Sequence, residues 1–214
     1  MCYNPVVSAT LSIIGLVSTI YFHKKQSHKK YVFGFYTIME ITQFIQSFYL
    51  GKCNMNMNYY STLFAMFLVA VQPLLWNTYR LKTNYMYVEV FKFASVASLI
   101  WFFAYFVRLL ESDDYCDGEV NVGSKFCTYQ GPTHLYWKFP LAKFHGFEAN
   151  FFTYLLLWFL PALWEDKKGI FKLCIWLIQI IIVHFFTKNK NEYSSVWCLY
   201  SIPILILLAT CSSL

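Results

Sequence analysis

Charged residues are scarce in this sequence of 214 residues, at 13%, against about a quarter in an ordinary soluble domain. Hydrophobic residues make up 58%, and a soluble fold of this size has no core large enough to bury them. The chain also lacks an HExxH or CxxC motif, a nucleophile elbow and a phosphate-binding glycine loop. The last apolar run contains neither Lys for a retinal Schiff base nor His for zinc. These absences exclude a soluble domain and leave no motif that specifies a reaction.

Seven apolar stretches take up most of the chain. A membrane-spanning helix needs about 20 apolar residues, and these runs lack the alternation of barrel strands. We therefore predict an all-α, polytopic membrane helix bundle, with seven transmembrane helices in a single domain, 1–214. The first run has no basic region before it and no cleavage site after it, which favours a retained helix over a signal peptide. The predicted spans are 5–22, 31–50, 59–79, 88–110, 140–164, 170–187 and 194–211.

The net charge of +6 comes from short loops, so it does not indicate a nucleic-acid partner. The loops after the first, third and fifth spans hold ten Lys and Arg residues, and the other three loops hold four. Positively charged loops stay in the cytoplasm. We therefore expect the N-terminus outside and the C-terminus in the cytoplasm.

Three cysteines fall in loops on the predicted outer side, where disulfides form: Cys53, Cys116 and Cys127. Cys116 and Cys127 are the nearest pair in sequence and our first choice, although the pairing is not determined by spacing. Both lie in the long outer loop 111–139. Its aromatic end predicts a re-entrant or amphipathic segment at the membrane interface.

Polar residues inside spans are costly and mark candidate functional sites. In the second span, Glu40, Gln43 and Ser47 are spaced to share one helix face, with Gln46 one position away. We expect Glu40 to be protonated or paired, either as a static bridge between helices or as a proton or cation site. Both interpretations stay open.

The third span carries Gln72, Pro73 and Asn77, followed by Arg80. Pro73 predicts a kink. Gln72 and Asn77 are expected to link helices, or alternatively to line a cavity. Arg80 is expected to extend toward the interface as an anchor.

A second polar stripe leads into the fifth span, with His134, Lys138, His145 and Glu148 spaced at helical intervals. His184 is expected at the depth of His145. The outer half of the bundle is thus predicted to gather a polar cluster suited to an anionic headgroup, an ion path, a proton relay or a static charge network. We expect no metal, although His145, Glu148 and His184 are usable ligands. The cluster comprises Glu40, Gln43, Arg108, Lys138, His145, Glu148 and His184.

Three segments, 36–43, 71–77 and 131–141, carry a resemblance to a known family, in which they occur in the same order. The chain resembles an uncharacterised family of multi-pass membrane proteins, a domain of unknown function that occurs in giant DNA viruses and microbial eukaryotes. The resemblance implies seven spans and an integral membrane location in a host or virion membrane. It assigns no activity. The signature positions it implies are Glu40, Gln43, Gln72, Pro73, Asn77, His134, Lys138 and Pro140.

The leading functional hypothesis is a small transporter or channel that binds a small solute, an ion or a lipid headgroup in this polar cavity. A receptor-like sensor capped by loop 111–139 is the first alternative. An intramembrane lipid-modifying enzyme using His134, His145 or His184 is the second. We expect no cofactor and no nucleic-acid partner, and the lipid bilayer as the surrounding partner.

Overall fold

A computed structural model describes residues 5–111, 126–137, 149–165 and 169–211, without the side chains of 108–111, 190 and 211. These residues form seven α-helices, two short 3-10 segments and one small hairpin. The 3-10 segments are Leu160–Trp164, which continues α5, and Lys190–Glu192, which leads into α7. The elements are α1 (Pro5–Lys24), α2 (Lys29–Gln46), α3 (Asn56–Thr83), α4 (Val88–Glu111), β1 (Thr128–Gln130), β2 (Leu135–Trp137), α5 (Phe151–Phe159), α6 (Gly169–Phe186) and α7 (Tyr193–Cys211).

The chain divides into two compact units. The first contains α1, α2, the start of α3, the hairpin, α6 from Ile175 and α7. Its helices α1, α2 and α7 pack together, and a Cβ on Gly15 of α1 would overlap both Thr37 and Ile202. Small residues at such a crossing let helix backbones approach closely. The α1–α2 turn is closed by Gln26, whose φ of 53° lies in the left-handed region.

The hairpin belongs to this first unit. Strands β1 and β2 are antiparallel, with Thr128 opposite Trp137 and Gln130 opposite Leu135. The sequence predicted a re-entrant or amphipathic segment here, and the described part of the segment is this hairpin instead. Alternating burial along Leu135, Tyr136 and Trp137 fits a strand that packs one face inward.

The second unit contains α3 from Met66, α4, α5 and the start of α6. Pro73 lies inside α3, which continues through it to Thr83. Asn150 begins α5 with a capping box: its side chain accepts from the Thr153 N–H, and the Thr153 hydroxyl accepts from the Asn150 N–H. The fifth span was predicted from residue 140, but its described helix begins at Phe151 because of this cap.

Five helical segments of the described chain are long and apolar enough to cross a membrane: Pro5–Lys24, Asn56–Thr83, Val88–Val107, Gly169–Phe186 and Tyr193–Thr210. The apolar stretch formed by α5 and its 3-10 continuation, Phe151–Trp164, is shorter. Helix α2 contains three charged residues within 18, Lys29, Lys30 and Glu40, and is not among these five. It ends at Gln46 and not at residue 50, because turns follow it toward Cys53.

Many large apolar side chains of the helices point outward. Ile13 on α1, Phe93 on α4 and Phe185 on α6 are 64%, 77% and 82% exposed. Polar side chains such as Glu40, Asn77 and Arg80 lie in the interior. This distribution is the reverse of the one expected for helices at the surface of a soluble protein.

Candidate functional site

Helix α2 presents a polar face to the interior of the first unit. Glu40, Gln43 and Gln46 follow one another at intervals of three residues, and all three are fully buried. The opposite face of the same helix exposes Ile38 and Ile41. The polar stripe predicted for α2 is present, with Gln46 as its third member.

Ser47, which the spacing predicted on this stripe, lies just past the helix end. It is half-buried, and its hydroxyl donates to the Phe44 carbonyl at 2.6 Å. Its backbone is still helical, and its N–H donates to the Gln43 carbonyl at 3.0 Å, so Ser47 continues the stripe at the C-cap of α2.

Glu40 is the one carboxyl on this stripe. The hydroxyl of Ser8 on α1, which is itself buried, faces the Glu40 carboxyl. Neither carboxyl oxygen of Glu40 has a hydrogen-bond partner of good geometry among the described residues. A buried acid in this situation is costly unless it carries a proton or pairs with a cation.

The hairpin closes one end of the stripe. The Trp137 indole N–H donates to the Gln46 side-chain carbonyl at 3.3 Å, and Trp137 is fully buried. A buried Trp whose N–H is hydrogen-bonded in this way buries apolar surface and also has its ring orientation fixed by the hydrogen bond. The polar face of α2 is therefore covered at its C-terminal end.

Asn58 on α3 holds the hairpin in place. Its amide donates to the carbonyls of Tyr49 and Thr128, and its side-chain oxygen accepts from the Thr128 N–H at 2.8 Å and from Thr62 at 3.1 Å. The Thr62 and Thr128 hydroxyls are also hydrogen-bonded to each other. Asn58 was not singled out from the sequence, although its i, i+4 spacing to Thr62 was a usable signal.

A disulfide joins Cys53 to Cys127 beside this hydrogen-bonded group. The first-choice pairing of Cys116 with Cys127 was therefore wrong. Nearness in sequence did not decide the partner, because the fold brings the α2–α3 loop against β1. Cys116 itself lies outside the described residues.

The turn of the hairpin is fixed by α7 and the segment before it. Buried Glu192 accepts from the Thr187 hydroxyl and from the Thr133 N–H, and Ser195 donates to the Leu135 carbonyl at 2.5 Å. A Cβ on Gly131 would overlap the Glu192 carboxyl, so only glycine fits there. The described end of loop 111–139 is therefore held in place by these hydrogen bonds and close contacts.

His134 lies in this turn and is 4% exposed. Burial lowers the pKa of His134 to about 4, against a smaller opposing effect from the backbone of Leu135. The ring is neutral near pH 7, so His134 does not supply positive charge for binding an anion there.

His184 is exposed, and its Nδ1 is 2.7 Å from the Tyr193 hydroxyl. It belongs to the same unit as Glu40 and Gln43. Of the predicted outer cluster, Lys138, His145 and Glu148 lie outside the described residues, as does the side chain of Arg108. Their gathering stays a prediction.

Gln72 and Asn77 belong to the second unit. The Tyr154 hydroxyl donates to the Gln72 side-chain carbonyl. The Asn77 amide donates to Ser98 on α4 at 2.9 Å and to the Leu157 carbonyl on α5 at 2.8 Å. Both side chains link helices, which is the role favoured for them from the sequence.

Arg80 does not extend outward as expected for an interfacial anchor. It is 1% exposed, and its Nη1 donates to the Trp158 carbonyl at 2.7 Å and to the Asn77 side-chain oxygen at 3.1 Å. Its Nε faces Glu165 at 3.5 Å, and Glu165 is also paired with Lys172. The Trp158 carbonyl and the side-chain oxygens of Asn77 and Glu165 thus supply the partners that a buried guanidinium needs.

Among the described residues, no group of three or more His, Cys, Asp or Glu side chains is arranged to hold a metal ion. Two of the three ligands considered from the sequence, His145 and Glu148, are not among those residues.

Comparison with known proteins places the chain in a family. Residues 6–213 match a family of unknown function, DUF5765. The chain belongs to this family. A family relative, the uncharacterized protein R287 of Acanthamoeba polyphaga mimivirus, is 30% identical over 225 residues, covering 94% of this chain and 91% of that protein. No solved structure matches the chain.

Membership of this family agrees with the resemblance to an uncharacterised family with giant-virus members noted from the sequence. Neither the family nor this relative carries an assigned activity.

Proposed function

We propose that the protein is an integral membrane protein, with its α-helices crossing the bilayer. The observation that supports this is the outward apolar surface of helices with a polar interior, shown by Phe93 and Phe185 against Glu40 and Asn77. In water this arrangement would leave a large apolar surface exposed, whereas in lipid it is the favourable one. All seven helices are proposed to be embedded; α2 packs against α1 and α7, and α5 packs against α4.

The proposed orientation places the N-terminus outside and the C-terminus in the cytoplasm. In the first unit, the Lys24–Lys30 turn and the disulfide lie at opposite ends of α2, since one precedes the helix and the other follows it. Positive loops favour the cytoplasm, and disulfides persist in oxidising compartments. Two independent chemical signals therefore favour the same orientation, in a host membrane or a virion membrane.

Cysteine labelling in sealed, right-side-out vesicles tests this orientation. The background replaces by Ser the five cysteines outside the disulfide: Cys2, Cys116, Cys174, Cys198 and Cys211. In this background, Lys188→Cys is expected to react with an impermeant maleimide, and Gln26→Cys only after the membrane is opened. Both parent side chains are exposed. The reverse pattern would contradict the orientation, and recovery of the chain in the soluble fraction would contradict membrane insertion.

For the activity, we propose a small transporter or channel in which Glu40 exchanges a proton or a small cation. The carrying observation is the buried Glu40 carboxyl, which lacks a well-aligned hydrogen bond among the described residues and lies on a stripe with Gln43 and Gln46. Ionisable groups at membrane depth that pair poorly are typical of ion and proton paths.

The alternative is a receptor-like sensor, which is favoured by one observation. The hairpin is clamped by the Cys53–Cys127 disulfide, by Asn58 and by Glu192, and so forms a preorganised surface. Such a surface suits a ligand that binds without moving a solute across the membrane.

A flux assay in proteoliposomes separates the two. Wild-type protein is expected to dissipate an imposed proton or cation gradient. Glu40→Gln is expected to slow this flux at least about tenfold, which corresponds to an activation free energy about 1.4 kcal/mol higher. Glu89→Gln is the matched control, since Glu89 is exposed and pairs only with neighbouring Lys92 in the described structure. Equal rates for wild type and Glu40→Gln would contradict the role of Glu40. No wild-type flux for protons, Na⁺ or K⁺ would favour the sensor.

A further inference from the structure

A groove lies between α1, α2 and α7 at the basic end of the first unit. Its volume is about 590 Å³, within the range of about 300–1,000 Å³ typical of small-molecule sites. Val17 and Lys25 mark its two ends along α1, which are eight residues or about 12 Å apart. The groove is therefore long enough for an extended apolar chain.

The lining is apolar along its length and cationic at one end. Tyr21, Phe33 and Ile206 supply apolar surface, while Lys25 and Lys29 lie at the end nearest the α1–α2 turn. No acidic residue precedes Glu40 in the sequence, and α7 contains no acidic or basic residue. Among the described residues that line the groove, the charged side chains are therefore both positive, those of Lys25 and Lys29.

The two lysines are held at the groove by its aromatic walls. The Lys25 ammonium lies 4.7 Å from the centre of the Tyr21 ring, and the Lys29 ammonium lies 5.6 Å from that of Phe22. Lys29 also donates to the Ala209 carbonyl at 3.4 Å. Both ammonium groups therefore lie at the same end of the groove.

We propose that this groove binds one anionic phospholipid of the cytoplasmic leaflet. The phosphate sits between Lys25 and Lys29, and one acyl chain lies along Tyr21, Phe33 and Ile206. The combination of a cationic mouth and a long apolar wall matches the two chemical parts of such a lipid. The inference rests on the membrane location proposed above, and it is independent of transport by Glu40.

Native mass spectrometry of the full chain, purified in detergent, tests the site with phosphatidylglycerol and phosphatidylcholine as probes. One phosphatidylglycerol per chain is expected to bind about tenfold or more tightly than phosphatidylcholine. The double variant K25Q/K29Q is expected to lower affinity for phosphatidylglycerol about 25-fold, since each lysine near an anionic headgroup contributes about fivefold.

Two further variants separate the groove from general electrostatics. K24Q/K30Q removes the same charge from the same turn but from outside the groove, and is expected to change affinity less than about threefold. Ala209→Phe fills the groove with all lysines intact, and is expected to weaken binding about tenfold.

Three results would overturn the proposal. Equal losses in K24Q/K30Q and K25Q/K29Q would indicate diffuse attraction, and full binding in Ala209→Phe would place the lipid elsewhere. Displacement of the lipid by inorganic phosphate alone would indicate a site for a free anion. A chain that stays soluble without detergent would instead contradict the membrane location itself, so the two failures are distinguishable.

Discussion

The Cys53–Cys127 disulfide allows a quantitative prediction, because it closes a loop of 74 residues. The double substitution of both cysteines by Ser removes the crosslink without leaving a reactive thiol. The chain-entropy relation for a loop of this length gives about 4.4 kcal/mol of stabilisation. This is an upper limit, because the Asn58 hydrogen bonds to Thr128 remain and the unfolded chain in detergent keeps helical structure. We expect a loss of about 2–4 kcal/mol in the free energy of unfolding.

The assay is reversible unfolding in mixed micelles, followed by circular dichroism. Cys174→Ser is the control, since Cys174 is exposed and not bonded to another cysteine in the described structure. Peptide mapping without reductant identifies the bridge in the wild type. A loss below about 0.5 kcal/mol, the size of an ordinary surface substitution, would refute the reasoning. So would a Cys53→Ser variant that keeps wild-type stability by pairing Cys127 with Cys116.

Three further predictions concern buried polar groups, each measured by the same unfolding assay. Asn58→Ala is expected to lower the free energy of unfolding by about 3 kcal/mol, because Thr128 and Tyr49 lose their hydrogen-bond partner. The control Asn54→Ala, at an exposed position, should lower it by less than about 0.5 kcal/mol. Similar losses for the two variants would contradict the role of Asn58. Arg80→Gln is expected to lower the free energy of unfolding by about 3–5 kcal/mol, since it leaves buried polar groups unpaired. A loss below about 1 kcal/mol would contradict this role of Arg80. His134 has a folded pKa of about 4, below its unfolded value of about 6.5, so it destabilises the fold as pH falls through that window, by up to about 3 kcal/mol. His134→Gln should remove this part of the pH dependence, and an unchanged pH profile would refute it.

The helical architecture was predictable because long apolar runs are a strong local signal. The ends of the helices were less so. The capping box at Asn150 set the start of α5 well inside the apolar run that predicted it. The short hairpin at Thr128–Trp137 was missed, since its strands have only three residues each and are stabilised by distant groups such as Asn58 and Ser195.

The candidate site was predictable to the extent that it depends on one helix. Periodicity alone predicted the polar face of α2 with Glu40 and Gln43. Partners far apart in sequence were not predictable from spacing: Arg80 pairs with Glu165, 85 residues later, and Cys127 pairs with Cys53. Both errors came from assuming that a residue takes a nearby partner or the solvent.

Infrared difference spectroscopy of the protein in lipid tests the role of Glu40 most directly. Spectra are recorded as the external pH is changed, and they report the carbonyl band of a carboxylic acid and its conversion to the carboxylate. Glu89→Gln is the matched control for Glu40→Gln. The other carboxyls also contribute to this band, so the account predicts one component that is present in wild type and Glu89→Gln and absent in Glu40→Gln. Difference spectra that are the same for Glu40→Gln and Glu89→Gln would contradict an exchanging carboxyl at Glu40.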